Sequence, residues 1–494
     1  MSRSAARSLQ AEVAVIGASA AGLYAALCAA REGARVVLVS AAPLARTASY
    51  WAQGGLAAVL ATDDSFELHL ADTERAGRGL VRHSAAEILV REAPSRVHDL
   101  EQLGVRFDAD RFGQLALGLE GGHSVRRVVH AGGSATGRRL VRQLSALAAE
   151  DAYVHVLEEV RATALWCRDG RCMGVVCHDG CVIGAGATMI ATGGAAAMWE
   201  RTTNPPGSQG VGLMLARAAG ARLADLELLQ FHPTAVIGVR GREGFLVTEA
   251  IRGEGATLHD ASGERFVDEL APRDEVSRAI WERLAETGAA SVGLDMRGVD
   301  PAHFPNVFGS LREAGLDPGK ELVPVAPAAH YMMGGIVADL DAASTVPGLY
   351  AVGEASCTGL HGANRLASNS LSECFVFAAR AVEHALRGAS GTPPPAPEPG
   401  EDEALRELPA PATADAETRR ALWQKAGIVR DAAGLEELLA IDHPLVREIA
   451  RCALERTESR GAQARSDHPE RDPSMDGRHV VVDGSGGLAW ESWT

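Results

Sequence analysis

Four basic side chains spread along the middle of the chain could hold an anion. They are His232 in QFHPT (Gln230 to Thr234), Arg273 in LAPRDEVSRAI (Leu270 to Ile280), His330 in AAHYMMGGI (Ala328 to Ile336) and Arg365 in AVGEASCTGLHGANRLASNSL (Ala351 to Leu371). Arginine can take a carboxylate in bidentate fashion, and neutral histidine can donate or accept at either ring nitrogen. Taken singly, each is an ordinary structural hydrogen-bonder or surface charge. Together they suggest a site for a dicarboxylate. One acid stands apart from them. Glu120 lies in LGLEGGHSVRR, between glycines and just ahead of a histidine and two arginines. It reads either as a solvated loop carboxylate or as a group that selects the substrate.

Such side chains need elements to hold them. Glu12 to Ser40 reads as an apolar strand, a small-residue turn, an amphipathic helix ending at Gly33 and a second apolar strand, a βαβ opening. The turn, Gly17-Ala18-Ser19-Ala20-Ala21-Gly22, has the form GxSxxG. Its first glycine permits the tight turn and its last allows close helix–strand packing, and the helix N-terminus offers N–H groups to a pyrophosphate. Ser19 replaces the usual second glycine, and Ser40 stands where an acid for the ribose is expected about 20 residues on. Further along, Asp-Gly pairs at 169 and 179 predict hairpins in an antiparallel meander. An apolar strand at 348–354 leads through a loop to a helix starting near Ser370. Residues 391–403 are proline-rich and acidic, an extended linker. Helical spacing after them predicts a small helical domain over 404–494.

At 494 residues the chain exceeds the ~250–300 at which a single core stops growing, so two or three domains are expected. A net charge of −16 argues against a nucleic-acid partner. No apolar run approaches the ~18 residues that span a bilayer, so no membrane partner is expected. The start is basic and then apolar, like a targeting segment, but the apolar part is better explained as the first strand. Eight scattered cysteines favour a reducing cytoplasm over a disulfide scaffold. Cys167, Cys172, Cys177 and Cys181 match neither zinc nor ferredoxin spacing, and no metal is expected.

The segments SYWAQGGLAAV (Ser49 to Val59) and Ala351 to Leu371 resemble the flavin-contacting motifs of the succinate dehydrogenase, fumarate reductase and L-aspartate oxidase flavoproteins. QFHPT, TEAIRGEGA, LAPRDEVSRAI and AAHYMMGGI resemble that family's substrate segments, in the same order. The resemblance implies an α/β fold, α+β overall. It would comprise a Rossmann-like FAD-binding domain (1–225 and 331–390), an inserted α+β capping domain (226–330) and the C-terminal helical domain. FAD is the implied cofactor, held by Gly17 to Gly22, Ser40, Ser49, Gln53, Gly54, Gly55, Glu354, Ser370 and Leu371. Ala48 stands where covalently flavinylated relatives carry a histidine, so attachment would be non-covalent. Val211 replaces an acid that contacts FAD in relatives.

For the substrate, the resemblance assigns His232, His330 and Arg365 to the carboxylates, with Thr248 and Glu249 lining the site. Arg273 takes the proton-transfer position. Because arginine's pKa exceeds ~12, an acidic neighbour would have to share that proton, and Asp274 is adjacent in sequence. In the tail, GIVRD and ESRGAQARSDHP resemble L-aspartate oxidases, with Gln463 where a histidine is common. In those oxidases an acid at the Glu120 position orients the substrate amine. The implied reaction is oxidation of L-aspartate to iminoaspartate, opening quinolinate and NAD synthesis. A hydride would pass from C2 to flavin N5, with O2 or fumarate as acceptor and quinolinate synthase as a candidate partner. A soluble fumarate reductase and a scaffold without turnover are the competing readings.

Overall fold

The computed structural model describes residues 8–387, 393–395, 397, 401, 404–405 and 407–494. The basic residues 1–7 and most of the proline-rich stretch 391–403 lie outside these. A seven-stranded sheet forms the base. Strand Ser8–Ile16 pairs in parallel with Val36–Val39 on one side and Val182–Ile190 on the other, and Val154–Leu157 extends the sheet beyond Val36–Val39. The free edge of Val182–Ile190 is shared. Its first residues pair antiparallel with Arg171–Cys177 and its last residues in parallel with Leu349–Ala351. The central strands are buried on both faces, which is why they read as unbroken apolar runs.

Successive residues of the first strand feed two cores. Val13 and Val15 pack with helices Ala20–Arg31, His83–Gln102, Thr136–Glu150 and Asn369–Arg387. Ala14 and Ile16 point the other way, into a core shared with helices Ala432–Leu438 and Pro444–Glu455. The predicted meander is present. At the turn between Ala162–Arg168 and Arg171–Cys177, Asp169 and Gly170 both have positive φ (50° and 73°), as a tight hairpin requires.

A four-stranded antiparallel sheet, Leu229–Val236, Val323–Met332, Val292–Asp295 and Thr257–His259, builds a separate layer with its own core. The tail differs from the sequence reading in one respect. Besides its helices it carries a hairpin, Arg478–Val482 with Leu488–Ser492. That hairpin docks on Leu223–Ala224 in a five-stranded sheet with Gly335–Val337 and Ser356–Cys357. Leu223–Ala224 leads into the cap sheet and Gly335–Val337 leads out of it. Pairing across more than 250 residues leaves no local trace in the sequence. Among the described residues no helix is long and apolar enough to cross a membrane.

Candidate active site

A single cavity of about 950 Å³ runs from the Gly17–Ser19 turn to the four basic side chains. This is at the upper end of the ~300–1,000 Å³ common for small-molecule sites. Its nucleotide end is a cradle of backbone. Gly17 has φ 107°, and a Cβ there would lie 2.5 Å from the Ala191 carbonyl oxygen. A Cβ at Gly22 would lie 1.9 Å from the Gly17 carbonyl oxygen, so this glycine serves helix–strand contact. Ser19 caps the helix, with its hydroxyl donating to the Ala191 carbonyl (2.9 Å) and accepting from Gly22 N–H (3.3 Å). Ala18, Ser40, Ala48, Ser49, Gln53, Gly54, Gly55, Val211, Glu354, Ser370 and Leu371 also line the cavity, whereas Ala20, Ala21 and Gly22 do not. Ser49 Oγ accepts from Ala20 N–H (3.1 Å), and Ser40 donates to the Ala42 carbonyl (2.5 Å). Three lining residues at this end, Thr47, Gln53 and Thr192, each keep a buried oxygen without a hydrogen-bond partner. The bare backbone cradle, the helix N-terminus beside it and these spare acceptors fit FAD. Ala48 offers only a methyl group, which can form no bond to it.

At the other end, two adjacent cap strands aim two imidazoles together. The register between Leu229–Val236 and Val323–Met332 shifts across His232–Ala235, at Pro233, the kind of bulge that re-aims a side chain. The ring centroids of His232 and His330 lie 5.1 Å apart. His232 Nδ1 accepts from Thr234 N–H (3.3 Å), which leaves its proton on Nε2. His330 Nδ1 lies 2.7 Å from Thr203 Oγ1, and its Nε2 faces Arg365 Nη2 at 3.4 Å. Burial and the charges of Arg273 and Arg365 hold both imidazoles well below the usual histidine range. Arg365 donates to Ser370 Oγ (2.5 Å), and its guanidinium carbon lies 4.5 Å from the Tyr331 ring centroid. Burial and Arg273 lower Arg365 to about 10. Nearby anions would relieve both effects.

Arg273 opens the helix Arg273–Thr287. Its Nε donates to Glu249 Oε2 (2.6 Å) and its Nη1 to Gln230 Oε1 (3.1 Å). Behind it, Glu249 Oε1 lies 3.4 Å from Arg252 Nη2. The carboxylate beside Arg273 is therefore Glu249. Asp274 instead turns to Arg78, which donates to it from Nε and Nη2 at 3.0 Å. Arg252 is fully buried and its Nε and Nη2 have no hydrogen-bond acceptor, so burial lowers its pKa. The result is an arginine, carboxylate and arginine series leading away from the cavity. Thr248 lines the cavity next to it.

Glu120 is buried, not solvated, at 2% exposure. It sits in the loop joining Leu117–Gly118 to Val128–Val129, two strands of a small sheet. The histidine and the second arginine of this stretch point away from the cavity and pin the loop. Arg127, with no exposure, binds Asp64 through Nε and Nη2 (2.9 Å each) and Asp72 through Nη1 (2.6 Å). His123 Nε2 bonds the Ala367 carbonyl (2.9 Å). Glu120 Oε2 accepts from Ser368 Oγ (2.6 Å), while Oε1 has no hydrogen-bond partner and lies 3.5 Å from His130 Nε2. Burial alone would raise this carboxyl, but His130, the Ser368 hydroxyl and the Arg273 charge outweigh it and hold it at about 2.

Sequence reasoning passed over Thr203, Gln230, Arg252, His130 and Ser368. Gln230 opens the QFHPT segment, and its amide joins the two arginine segments by also donating to the Arg365 carbonyl (2.9 Å). Arg252 lies three residues past Glu249, one helical turn away, a spacing that could have flagged it. Ser368 lies in the same segment as Arg365, and His130 three residues past the Glu120 stretch, whereas Thr203 comes from a segment apart from them all.

Residues 12–371 match the FAD binding domain family, and residues 444–487 match the fumarate reductase flavoprotein C-terminal family. L-aspartate oxidase of Caulobacter vibrioides is 43% identical, covering 95% of this chain and 96% of that one. L-aspartate oxidase of Streptomyces coelicolor is 40% identical, covering 96% and 91%. Among solved structures, FrdA of E. coli quinol fumarate reductase superposes with a TM-score of 0.88 at 28% identity, over 99% of this chain and 97% of that one. Mycobacterium smegmatis Sdh1 gives 0.82 at 31% identity, over 98% and 94%.

Proposed function

The chain belongs to the L-aspartate oxidase family of FAD-dependent flavoproteins, and from that premise we propose how its residues divide the oxidation of L-aspartate to iminoaspartate. The reaction is the first step of NAD biosynthesis. FAD, when bound along the cradle from Gly17 to Leu371, takes up the two electrons and passes them to an acceptor. Everything else is work for side chains.

Arg365, His330 and His232 receive the two carboxylates. The neutral imidazoles donate from a nitrogen, and the guanidinium supplies the charge. Glu120 receives the ammonium through Oε1, the oxygen that accepts no hydrogen bond. A carboxyl held at about 2 stays anionic throughout the working range, so it acts as a counter-ion to the ammonium and is a poor proton acceptor. Binding at three corners fixes C2, and such positioning supplies a large part of the rate. Arg273, Glu249 and Arg252 handle protons, including the one the substrate ammonium gives up as the hydride leaves C2. Fumarate, as an electron acceptor, needs a proton at carbon, and Arg273 backed by Glu249 holds one there. We infer O2 and fumarate as the acceptors. The imine product is hydrolysed by water, so quinolinate synthase, which would consume it promptly, is the implied partner. All eight cysteines are free thiols, in keeping with action in a reducing cytoplasm.

The observation that carries this reading is the buried Glu120 carboxylate with one oxygen that accepts no hydrogen bond, in a cavity otherwise built for anions. The decisive measurement is anaerobic flavin reduction, in which L-aspartate should bleach the bound flavin. Bleaching by succinate but not by aspartate would sink the assignment. Glu120→Gln should lower kcat/KM for aspartate about tenfold or more, since hydrogen bonds to charged groups contribute ~1.5–3 kcal/mol. Fumarate reduction should fall less. Equal losses would count against the amine-binding role.

A further inference from the structure

Ser368 is held where three segments meet: the Glu120 loop, the Gln53–Gly55 loop and the start of helix Asn369–Arg387. Its backbone is left-handed, with φ 62°, which a residue other than glycine adopts rarely and mainly where surrounding contacts enforce it. Those contacts are present. Its carbonyl accepts from Ala57 N–H (3.3 Å), and its hydroxyl accepts from Gly55 N–H (3.1 Å) while donating to Glu120 Oε2 (2.6 Å). The Gly55 amide cannot move to meet another acceptor. The backbone there is so tightly packed that a Cβ would lie 2.2 Å from the Val129 carbonyl oxygen.

A hydroxyl has one proton to give. With Gly55 filling its acceptor side, the Ser368 proton is directed at Glu120. One carboxylate oxygen is thereby tied down, and the other, with the His130 ring at 3.5 Å but no hydrogen bond, is left to accept from a further donor. A carboxylate without this tether would be free to swing toward Arg273, the cation whose charge already acts on it, and cancel a charge that the substrate carboxylates need.

We propose that Ser368 is a positioning residue for substrate choice: by locking Glu120 Oε2 against the Gly55 amide, it fixes Oε1 for an ammonium, so that 2-amino dicarboxylates are preferred over dicarboxylates without the amine. This rests on the reading of Glu120 as the amine-binding group.

The test compares Ser368→Gly, Ser368→Ala and Glu120→Gln in the FAD-loaded enzyme. For each, kcat and KM are measured for aspartate oxidation and fumarate reduction, together with the thermal midpoint. Glycine accepts φ 62° without strain, so Ser368→Gly removes the hydroxyl and keeps the fold. Both serine variants should lower the ratio of aspartate to fumarate kcat/KM about tenfold, mainly through the KM for aspartate. Either one combined with Glu120→Gln should add little, as expected for residues acting as a unit. If Glu120→Gln loses the preference and Ser368→Gly keeps it, Ser368 does not position the acid. Loss in the alanine variant alone would trace the effect to the backbone and equally overturn the proposal. If Glu120→Gln itself keeps the preference, the amine-binding reading fails first and takes this inference with it.

Discussion

Glu120 and Glu249 are two buried carboxylates in one cavity, yet their neighbours give them opposite work. Glu249 is clasped by Arg273 at 2.6 Å and backed by Arg252 at 3.4 Å, the arrangement of a shared proton. Glu249→Gln should therefore cut kcat for fumarate reduction by about 100-fold, the lower end of what general acid–base groups contribute. Aspartate oxidation by O2 should fall less, and steady-state assays of both reactions check this. That is the reverse of the pattern expected for Glu120→Gln, and similar profiles for the two variants would refute the division of labour. The imidazoles give a second prediction. His232 and His330 are held well below 6.5 by burial and neighbouring guanidinium groups. As pH falls below about 6.5 the unfolded chain takes up protons that the folded, ligand-free chain refuses, so these residues cost stability on the acid side. A bound dicarboxylate reverses the field and raises both. Succinate binding at pH 6 should thus be accompanied by uptake of about one proton, read by calorimetry in buffers of different ionisation enthalpy. No uptake would mean that bound carboxylates leave the imidazoles neutral, as uncharged donors, and would refute this prediction.

The Glu120 loop is only as fixed as its anchors. Arg127 has no exposure, and its guanidinium is shared between Asp64 and Asp72. Asp64→Ala strands half of a buried charge and should cost about 3 kcal/mol or more. It should lower the thermal midpoint and raise the KM for aspartate as the loop loosens; a lower midpoint with an intact KM would show that the loop keeps its shape unaided. Beside it, a Cβ at Gly121 would sit 2.2 Å from Glu249 Oε1, so Gly121→Ala should displace that carboxylate and depress kcat for fumarate reduction more than the KM for aspartate. The sequence displayed Gly17, the helix from Asn369 and the Asp169-Gly170 hairpin plainly, because each is set by local periodicity and turn chemistry. It displayed the basic residues of the site as types. It could not show that His123 and Arg127 face Asp64 and Asp72, that Asp274 turns to Arg78, or that Ser368 meets Glu120. Those pairings depend on how distant segments fold over one another.

At the scale of the whole chain, nucleotide and acid share one cavity, so retention of FAD depends on the fold. With Ala48 lining the site, FAD should separate from the protein on acid or urea denaturation, visible as yellow colour in the filtrate. Colour left on the precipitated chain would contradict non-covalent binding. The five-stranded sheet carries a further consequence. Its strand before the cap, Leu223–Ala224, and its strand after the cap, Gly335–Val337, pair with each other, and the first also pairs with the hairpin Arg478–Val482. Arg456, fully buried, bolts the same region down by pairing with Glu227 (2.7 Å) and Glu458 (3.2 Å). In order of synthesis the hairpin comes after every residue that lines the cavity. The two strands flanking the cap can pair with each other once residue 337 has emerged, but the other edge of Leu223–Ala224 stays open until residue 478 follows. Every residue that lines the cavity, at both its nucleotide and its acid end, is therefore synthesised before the segment that completes the base of the cap.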